Sequence, residues 1–443
     1  MTRPVETRGS AGRGLSRREF LHRVSAAASA MAVPCLIPAS ALGKGGTVAP
    51  SERIILGGIG LGGRGTGDLG AMLGEPDVQF VAVCEVRKSR RDAIKAMVDG
   101  RYGSKDCATY GDIRHFLAER SDVDAVLIAT GDRWHATASI LAMRAGKDVF
   151  CEKPSCLTMA EGQKVVETAR NYGRVYQTGA QRLSEPHHVF AIEMARSGRL
   201  GPIHTAYADI RWRDGMRHDW LPAEPEPSKE ELDWDAWLGP CPWRPYNPGY
   251  VNGGGWYHFY DFATDVAMWG AHTVAQVLPG LDLSNVTTIE FEYSSPDGAM
   301  VTRFSSGVKM VLARGPGCNY WHGSCGERFD GPAGWVAADD GYSRPDVSSP
   351  ALLADYRKVL GEYTARTQRP MHHVRDFLNC VKSRRATVAG PEVMYNSMII
   401  CLAADICEQV KRNLKFDLVK AEFIGDPEAN RLRSRAMRES WCV

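Results

Sequence analysis

Between Ile54 and Gly65 the sequence runs Ile-Ile-Leu-Gly-Gly-Ile-Gly-Leu-Gly-Gly-Arg-Gly. An apolar stretch leads into G-x-G-x-x-G on Gly60, Gly62 and Gly65, and a helical pattern continues to Leu73. Glycines there permit a tight turn, close backbone approach to a pyrophosphate and close packing of helix on strand, while the helix N-terminus offers N–H groups to the anion. A second apolar run, Val78–Cys84, ends at Glu85, about 20 residues on, where a carboxylate accepts hydrogen bonds from ribose hydroxyls. Strand, glycine turn, helix and terminal acid together predict a dinucleotide site. The carboxylate repels a 2′-phosphate and so favours NAD over NADP, although Arg87, Lys88 and Arg90 stand close enough to reverse that preference.

Outward from this unit, strand-like and helix-like stretches alternate. Arg53–Ile59, Val78–Cys84, Ala125–Thr130, Asp148–Cys151 and Val175–Thr178 read as strands; Gly65–Leu73, Ser89–Val98, Ile113–Glu119, Ala136–Ala145 and Met159–Tyr172 read as helices. Strands interleaved with helices predict a doubly wound parallel sheet, placing a Rossmann-type α/β domain at 51–180. The texture then changes. Ile203–Arg213, Val286–Ser294, Ala299–Ser305 and Val308–Arg314 are richer in Val, Thr, Phe and Tyr, with turn signals at Pro296-Asp297-Gly298 and Ser306-Gly307. These predict antiparallel strands in a second α/β domain, 181–443, closed by helices at His372–Lys382 and Pro391–Arg412. A Pro- and Trp-rich excursion from Leu221 to Tyr250 interrupts it, and loops of that length inside compact domains are usually functional.

With 44% apolar and 24% charged residues in 443, the chain is neither disordered nor a polytopic membrane protein. The net charge is +2, of which residues 1–41 contribute +4 through six arginines and two glutamates, leaving the remainder at −2. A body so close to neutral gives no global electrostatic reason to bind nucleic acid or an anionic membrane; the expected partner is small and uncharged. Ser16-Arg17-Arg18-Glu19-Phe20-Leu21, the uncharged stretch Val24–Ala41 and the terminal Ala39-Ser40-Ala41 resemble a bacterial twin-arginine export signal. That resemblance implies cleavage near Ala41, a linker at 42–50 and a periplasmic or secreted protein without a stable membrane anchor.

No C-x-x-C pair occurs among the 12 cysteines, and Cys84, Cys151, Cys401 and Cys407 lie in apolar strand or helix patterns, so most read as small buried hydrophobes. The histidines His187-His188, His218, His272 and His372-His373 form no helix-spaced set such as H-x-x-x-H, and no metal site is expected.

Two further constellations follow strand ends, where parallel sheets bind ligands: Ala129-Thr130-Gly131-Asp132-Arg133-Trp134-His135 and Cys151-Glu152-Lys153-Pro154. With the glycine fingerprint, Val83-Cys84-Glu85, Thr178-Gly179-Ala180-Gln181-Arg182 and Gly334-Trp335-Val336, they resemble the glucose–fructose oxidoreductase and inositol dehydrogenase (Gfo/Idh/MocA) family over about residues 52–415. The resemblance implies a Rossmann domain followed by a large, open, mostly antiparallel sheet often used in homo-oligomer contacts. It also implies tightly held NAD(P) and a sugar, cyclitol or related substrate. By it, the cofactor residues are Gly60, Gly62, Gly63, Arg64, Gly65, Glu85, Thr130, His135, Glu152, Lys153 and Gln181. Lys153 would also hydrogen-bond the substrate hydroxyl, because burial lowers a lysine's pKa and lets it share a proton with an alcohol.

Relatives often carry, after G-G-G, an Asp, a His, a second Asp and a Trp at fixed spacing. Counted from Gly255, those places hold His258, Phe262, Asp265 and Trp269. Two readings follow. Either His258 is the general base, oriented by Asp261 or Asp265, with Tyr257 or Tyr260 contacting the substrate and Arg182 and Asp265 beside it, or the aromatic helix Trp256–Phe262 is packing and His258 a satisfied histidine. For the whole chain the expectation is an exported NAD-dependent oxidoreductase of a carbohydrate or cyclitol. The alternatives are an NAD-dependent glycoside hydrolase working by oxidation, elimination and re-reduction, and a sugar-binding member without chemistry.

Overall fold

The computed structural model describes residues 48–210, 216–293, 299–314, 323–341 and 344–443. The export signal, most of the linker, the Pro296-Asp297-Gly298 turn and the end of the Ile203–Arg213 run lie outside them. The chain divides into two units, 1–53 and 54–443. In the first, Pro50–Glu52 forms a single 3-10 turn in which the Arg53 N–H donates to the Pro50 carbonyl at 3.2 Å.

In the second unit, strands β1 (Ile54–Ile59), β2 (Val78–Cys84), β3 (Ala108–Tyr110), β4 (Ala125–Ile128), β5 (Asp148–Cys151) and β6 (Tyr176–Thr178) form a parallel sheet in the order β3-β2-β1-β4-β5-β6. Helices α1 (Gly63–Leu73), α2 (Lys88–Tyr102), α3 (Ile113–Glu119), α4 (Asp132–Arg144) and α5 (Met159–Tyr172) connect these strands. The chain leaves the sheet centre in one direction and returns to continue in the other, so β1 and β4 flank the switch point where such sheets hold ligands. Strands buried on both faces must be apolar throughout, and β4 and β5 are fully buried. Local signals fix the helices: Thr158 and Glu161 form a capping box that starts α5, and Gly173, in the left-handed region at φ +59°, ends it.

Beyond α6 (Pro186–Arg196), a nine-stranded sheet is built from β7 (Thr205–Ile210), β8 (Thr288–Glu292), β9 (Met300–Phe304), β10 (Lys309–Arg314), β11 (Glu327–Gly331), β12 (Gly334–Ala338), β13 (Asp346–Val347), β14 (Leu414–Asp417) and β15 (Glu422–Phe423). Its order is β13-β12-β11-β7-β10-β9-β8-β14-β15; β7 and β10 run parallel and the other neighbours antiparallel. In β9, Met300, Thr302 and Phe304 are buried while Val301 and Arg303 are not, the period-2 alternation of a sheet with one packed face. Helices α6, α7 (Ala267–Val277) and α10 (Pro391–Val410) pack on the sheet. Helix α10 is long and apolar enough to cross a bilayer, yet Ser397–Cys407 is buried without a break, as in a core helix.

Helices α8 (Tyr356–Thr367) and α9 (His373–Ser383) precede it. From the far end of the sequence, α9 returns to the first sheet: Phe377 meets Phe150 edge-on at 5.6 Å, and Arg375 pairs with Asp77 at 2.8 Å. The Rossmann core therefore includes a helix far from its other elements in sequence.

The Trp-rich excursion is not an open loop: it carries two short helices, Trp234–Leu238 and Pro248–Val251. Trp234 and Trp237 stack at 4.7 Å, and Tyr250, Phe259 and Phe262 close around them as a small separate core. Aromatic side chains bury enough area to order a long irregular segment in this way. The expected aromatic helix is a 3-10 turn, Gly255–His258, followed by this cluster, in which Phe262 is fully buried.

Candidate active site

The carboxyl ends of the parallel strands open into a cavity of about 310 Å³ lined by Gly60, Gly62, Gly63, Arg64, Glu85 and Thr130, among others. Gly60 adopts φ +67°, and a Cβ there would stand 2.1 Å from Thr130 Cγ2, so glycine is required on both grounds. Gly65 lies behind the cavity wall, where a Cβ would come within 2.8 Å of Ala129 Cβ; it lets α1 approach β4. Glu85 sits at the end of β2 with one oxygen taking the Arg87 N–H at 2.8 Å, and burial raises its pKa. Lys88 is spent on Asp92 at 2.6 Å, whereas Arg90 lines the cavity.

Arg133 is a buried member of the same wall. Its Nε donates to the Trp237 carbonyl at 2.8 Å, its guanidinium lies 3.5 Å from the Trp237 ring centre, and its Nη1 has no acceptor among the described residues. Burial lowers its pKa to about 10. A glycine cradle at a helix N-terminus, an acid placed for a ribose and an unsatisfied guanidinium donor fit a dinucleotide such as NAD.

The cavity is roofed by distant sequence. Trp256 and Tyr257, stacked at 3.7 Å, line it, as does Trp441, which meets Trp134 at 4.8 Å with the Arg114 guanidinium 4.6 Å over its ring. Tyr257, expected beside the substrate, thus faces the dinucleotide cavity. The excursion is also tied to the β2–α2 loop, where the Lys88 N–H donates to the Glu231 carbonyl at 2.9 Å.

The other expected cofactor residues, His135, Glu152, Lys153 and Gln181, form an adjoining cluster. Glu152 is buried and takes hydrogen bonds from Gln181 Nε2 at 2.7 Å and Arg64 Nε at 3.3 Å. Asp68, paired with Arg64 at 2.9 Å, is hydrogen-bonded to Glu152, and burial together with that neighbour raises its pKa to about 8. His135 is buried under the loop with Nδ1 2.6 Å from the Pro154 carbonyl, which makes it a support of the Glu152-Lys153-Pro154 loop; burial lowers its pKa to about 4. The Lys153–Pro154 peptide is cis.

Lys153 crosses to the second domain. Its Nζ donates to the Met268 carbonyl at 2.7 Å and lies 5.5 Å from the Trp269 ring centre, and burial lowers its pKa. One turn along α7 from Met268 comes His272, on the same helix face. Its ring is buried and Nδ1 has no partner among the described residues. Burial first, then the charges of Lys153, Arg182 and Arg64, hold it neutral, with its pKa well below the ordinary value.

Arg182 belongs to this neighbourhood through its charge, although its guanidinium fork is engaged by Asp340 at 2.9 and 2.8 Å. Three expected residues lie elsewhere. The His258 ring is exposed, and the backbone carbonyl of that residue takes the Arg217 N–H at 2.8 Å. Asp261 does not orient it; its carboxylate pairs with the buried Arg244, whose guanidinium lies 4.6 Å from the Phe262 ring centre. Asp265 sits just before α7, where its charge acts on the buried Asp405. The imidazole on which the Lys153 charge acts is His272, three residues beyond Trp269, the last place in the frame counted from Gly255.

Comparison with known proteins agrees with this architecture. Residues 55–180 match the oxidoreductase family's NAD-binding Rossmann fold, and residues 210–443 match its C-terminal alpha/beta domain. A glycosyl hydrolase family 109 protein of Stenotrophomonas maltophilia is 29% identical over 210 residues, 46% of this chain and 43% of that protein. An inositol 2-dehydrogenase of Salmonella paratyphi B is 34% identical over 125 residues, 28% of this chain and 35% of the enzyme. The matched region is less than half the length of each of these relatives. In fold, the chain is similar to the WlbA dehydrogenase from Bordetella pertussis, solved with NADH and UDP-GlcNAcA, at a TM-score of 0.56 and 15% identity, covering 82% of this chain and 98% of that one. Carrying both domains of the family in order, the chain belongs to the Gfo/Idh/MocA oxidoreductases.

Proposed function

We propose that this protein is an exported, NAD-dependent oxidoreductase acting on a ring hydroxyl of a sugar, cyclitol or glycoside, with Lys153 and His272 handling the hydroxyl proton. The observation that carries this reading is the Lys153–Met268 hydrogen bond, which ties a lysine of depressed pKa to the helix turn before His272, an imidazole held neutral and without a partner at Nδ1 among the described residues. NAD, when bound, accepts and returns a hydride. Lys153 donates a hydrogen bond to the substrate oxygen and steadies it as its proton leaves; His272, neutral and without a partner at Nδ1 among the described residues, takes that proton. Glu152 holds the loop through Arg64, Gln181 and its own backbone link to Lys153. NAD is the proposed form because a Glu85 carboxylate just after β2 would repel a 2′-phosphate; Arg90, lining the same cavity, opposes the preference.

A second reading is a redox-neutral glycosidase. The observation favouring it is the roof over the cavity, Trp256, Tyr257 and Trp441, which suits a cofactor kept through each turnover. The similarity to glycosyl hydrolase family 109 proteins supports it as well. Export by the twin-arginine route, which resembles one for folded, cofactor-loaded proteins, fits either reading. The test is to purify the mature chain without added nucleotide and follow its absorbance with glycosides, hexoses and inositols. A reduced band near 340 nm (an approximate property of the cofactor) that rises and falls while sugar is released supports the glycosidase. A lasting rise reversed only by an acceptor sugar supports the oxidoreductase. A chain that neither carries nor binds dinucleotide refutes both.

A further inference from the structure

We propose that the first turn of α6 holds a divalent transition-metal ion on His187 Nε2, His188 Nε2 and the Glu185 carboxylate. The three donor atoms lie within 4.8 Å of one another, and His188 Nε2 is 4.0 Å from Glu185 Oε2. Around a tetrahedral zinc such atoms stand about 3.3 Å apart. Rotation of Glu185, whose side chain is 40% exposed, and a small adjustment of the two rings would close that gap.

The hydrogen bonds behind the two imidazoles suit a metal ligand set. Nδ1 of His188 lies 2.9 and 2.8 Å from the two oxygens of Glu327, which takes a further hydrogen bond from Gln276 Nε2 at 2.7 Å. Gln276 Nε2 also lies 2.9 Å from Nδ1, and a metal on Nε2 would place the proton on Nδ1, where Glu327, raised in pKa by burial while the site is empty, would accept it as the carboxylate. The His187 ring is hydrogen-bonded in turn to the Asp339 backbone. Carboxylate or carbonyl support behind a ligating imidazole is how metal sites fix the tautomer. Both Nε2 atoms are buried and lack a partner among the described residues, although His188 is completely enclosed. A buried polar atom left so is destabilising unless an ion or water meets it.

Charge points the same way. The principal charged groups acting on His188 are the carboxylates of Glu185, Asp340 and Asp339 and the Arg182 guanidinium, which is already committed to Asp340. The pocket is thus left in surplus negative charge. Two imidazoles and one carboxylate suit Zn²⁺, Mn²⁺, Fe²⁺ or Co²⁺ better than Mg²⁺ or Ca²⁺, and three protein ligands leave positions open for water or a hydroxylated ligand. This site does not depend on the roles assigned to Lys153 and His272.

The test titrates chelator-treated, full-length protein with Co²⁺ and Zn²⁺, followed by calorimetry and the visible cobalt spectrum. One equivalent should bind, with affinity reduced at least tenfold in Glu185→Gln and in His187→Asn and unchanged in His372→Ala, a surface-histidine control. Glu185 and His187 are only partly buried, so these variants should fold, and circular dichroism checks that they do. Absence of stoichiometric binding overturns the proposal. So does binding that survives both Glu185→Gln and His187→Asn, or that is lost in His372→Ala.

Discussion

Lys153 and Met268 are joined by a 2.7 Å hydrogen bond between an ammonium on the loop after β5 and a main-chain carbonyl at the start of α7. Because the acceptor is backbone, the link survives any side chain at 268 and fixes where the next turn of α7 presents His272. Replacing Lys153 by Met should leave nucleotide content intact and lower kcat by about 10²–10⁴-fold. His272→Asn should do the same, while His258→Asn, altering an exposed ring, should change kcat by no more than about threefold. Equal losses in the two histidine variants would contradict the assignment.

The pH profile follows from the same pair. His272 is held neutral by burial and by three cations, so it keeps its lone pair well below the pH at which an ordinary histidine protonates. Lys153 is held below its ordinary value of about 10.4 by burial, so the alkaline limb should arrive early. The expected kcat/KM profile lacks a descending acid limb near pH 6.5 and falls on the alkaline side in a step removed by Lys153→Arg.

Cofactor choice rests on Glu85 and Arg90, which line one cavity. Glu85→Ala removes a charged acceptor worth about 1.5–3 kcal/mol and the repulsion against a 2′-phosphate. NAD affinity should drop at least tenfold and NADP affinity rise, with Glu85→Ala/Arg90→Ala losing the NADP gain. Equilibrium binding to nucleotide-free protein measures both.

Trp441 supplies a test of the roof. Trp441→Ala should release NAD at least tenfold faster in stopped-flow displacement, and Trp441→Phe, which keeps an aromatic against Trp134 and under Arg114, should recover most of the retention. Unchanged release from the alanine variant would remove the roof as the reason for a held cofactor.

The first sheet was legible because its signals are local: the apolar runs, the glycine turn and Glu85 each act within a few residues. Strand β3, only Ala108–Tyr110, is too short to carry a period. Likewise β11 and β12 are brief and glycine-flanked and β13 is two residues long, and only successive pairing outward from β7 makes them strands. His258 was the candidate base because the frame counted from Gly255 assumes a regular helix after the glycines. The chain instead makes a 3-10 turn and spends Phe259 and Phe262 on the Trp234–Trp237 cluster, so the helix that meets Lys153 begins only at Ala267. The four-residue spacing of Met268 and His272 was a readable signal, but its meaning depended on which carbonyl Lys153 reaches. The roles of α9 and Trp441 depend on long-range packing and leave no local mark.

Asp405 yields a stability prediction. It is buried with Oδ1 accepting the Val266 N–H at 2.9 Å and Oδ2 without a partner among the described residues, and burial, with Asp265 beside it, raises its pKa to about 8. A carboxyl whose folded pKa lies above its unfolded value of about 3.9 binds its proton more tightly when folded, so its contribution is complete at low pH and is lost as pH rises toward 8. Asp68 has the same sign. The buried imidazoles of His135 and His373, lowered to about 4, act oppositely, but only below the unfolded value of about 6.5. Between pH 6.5 and 8, therefore, stability should fall with pH, each acid adding a slope of up to about 1.4 kcal/mol per pH unit. Asp405→Asn keeps an oxygen for the Val266 N–H and carries no charge, so it should flatten the slope by one proton's worth and leave the variant more stable than the parent at pH 8. Urea unfolding at pH 6.5, 7.2 and 8 measures this; parallel slopes would mean that Asp405 is not protonated in the folded chain.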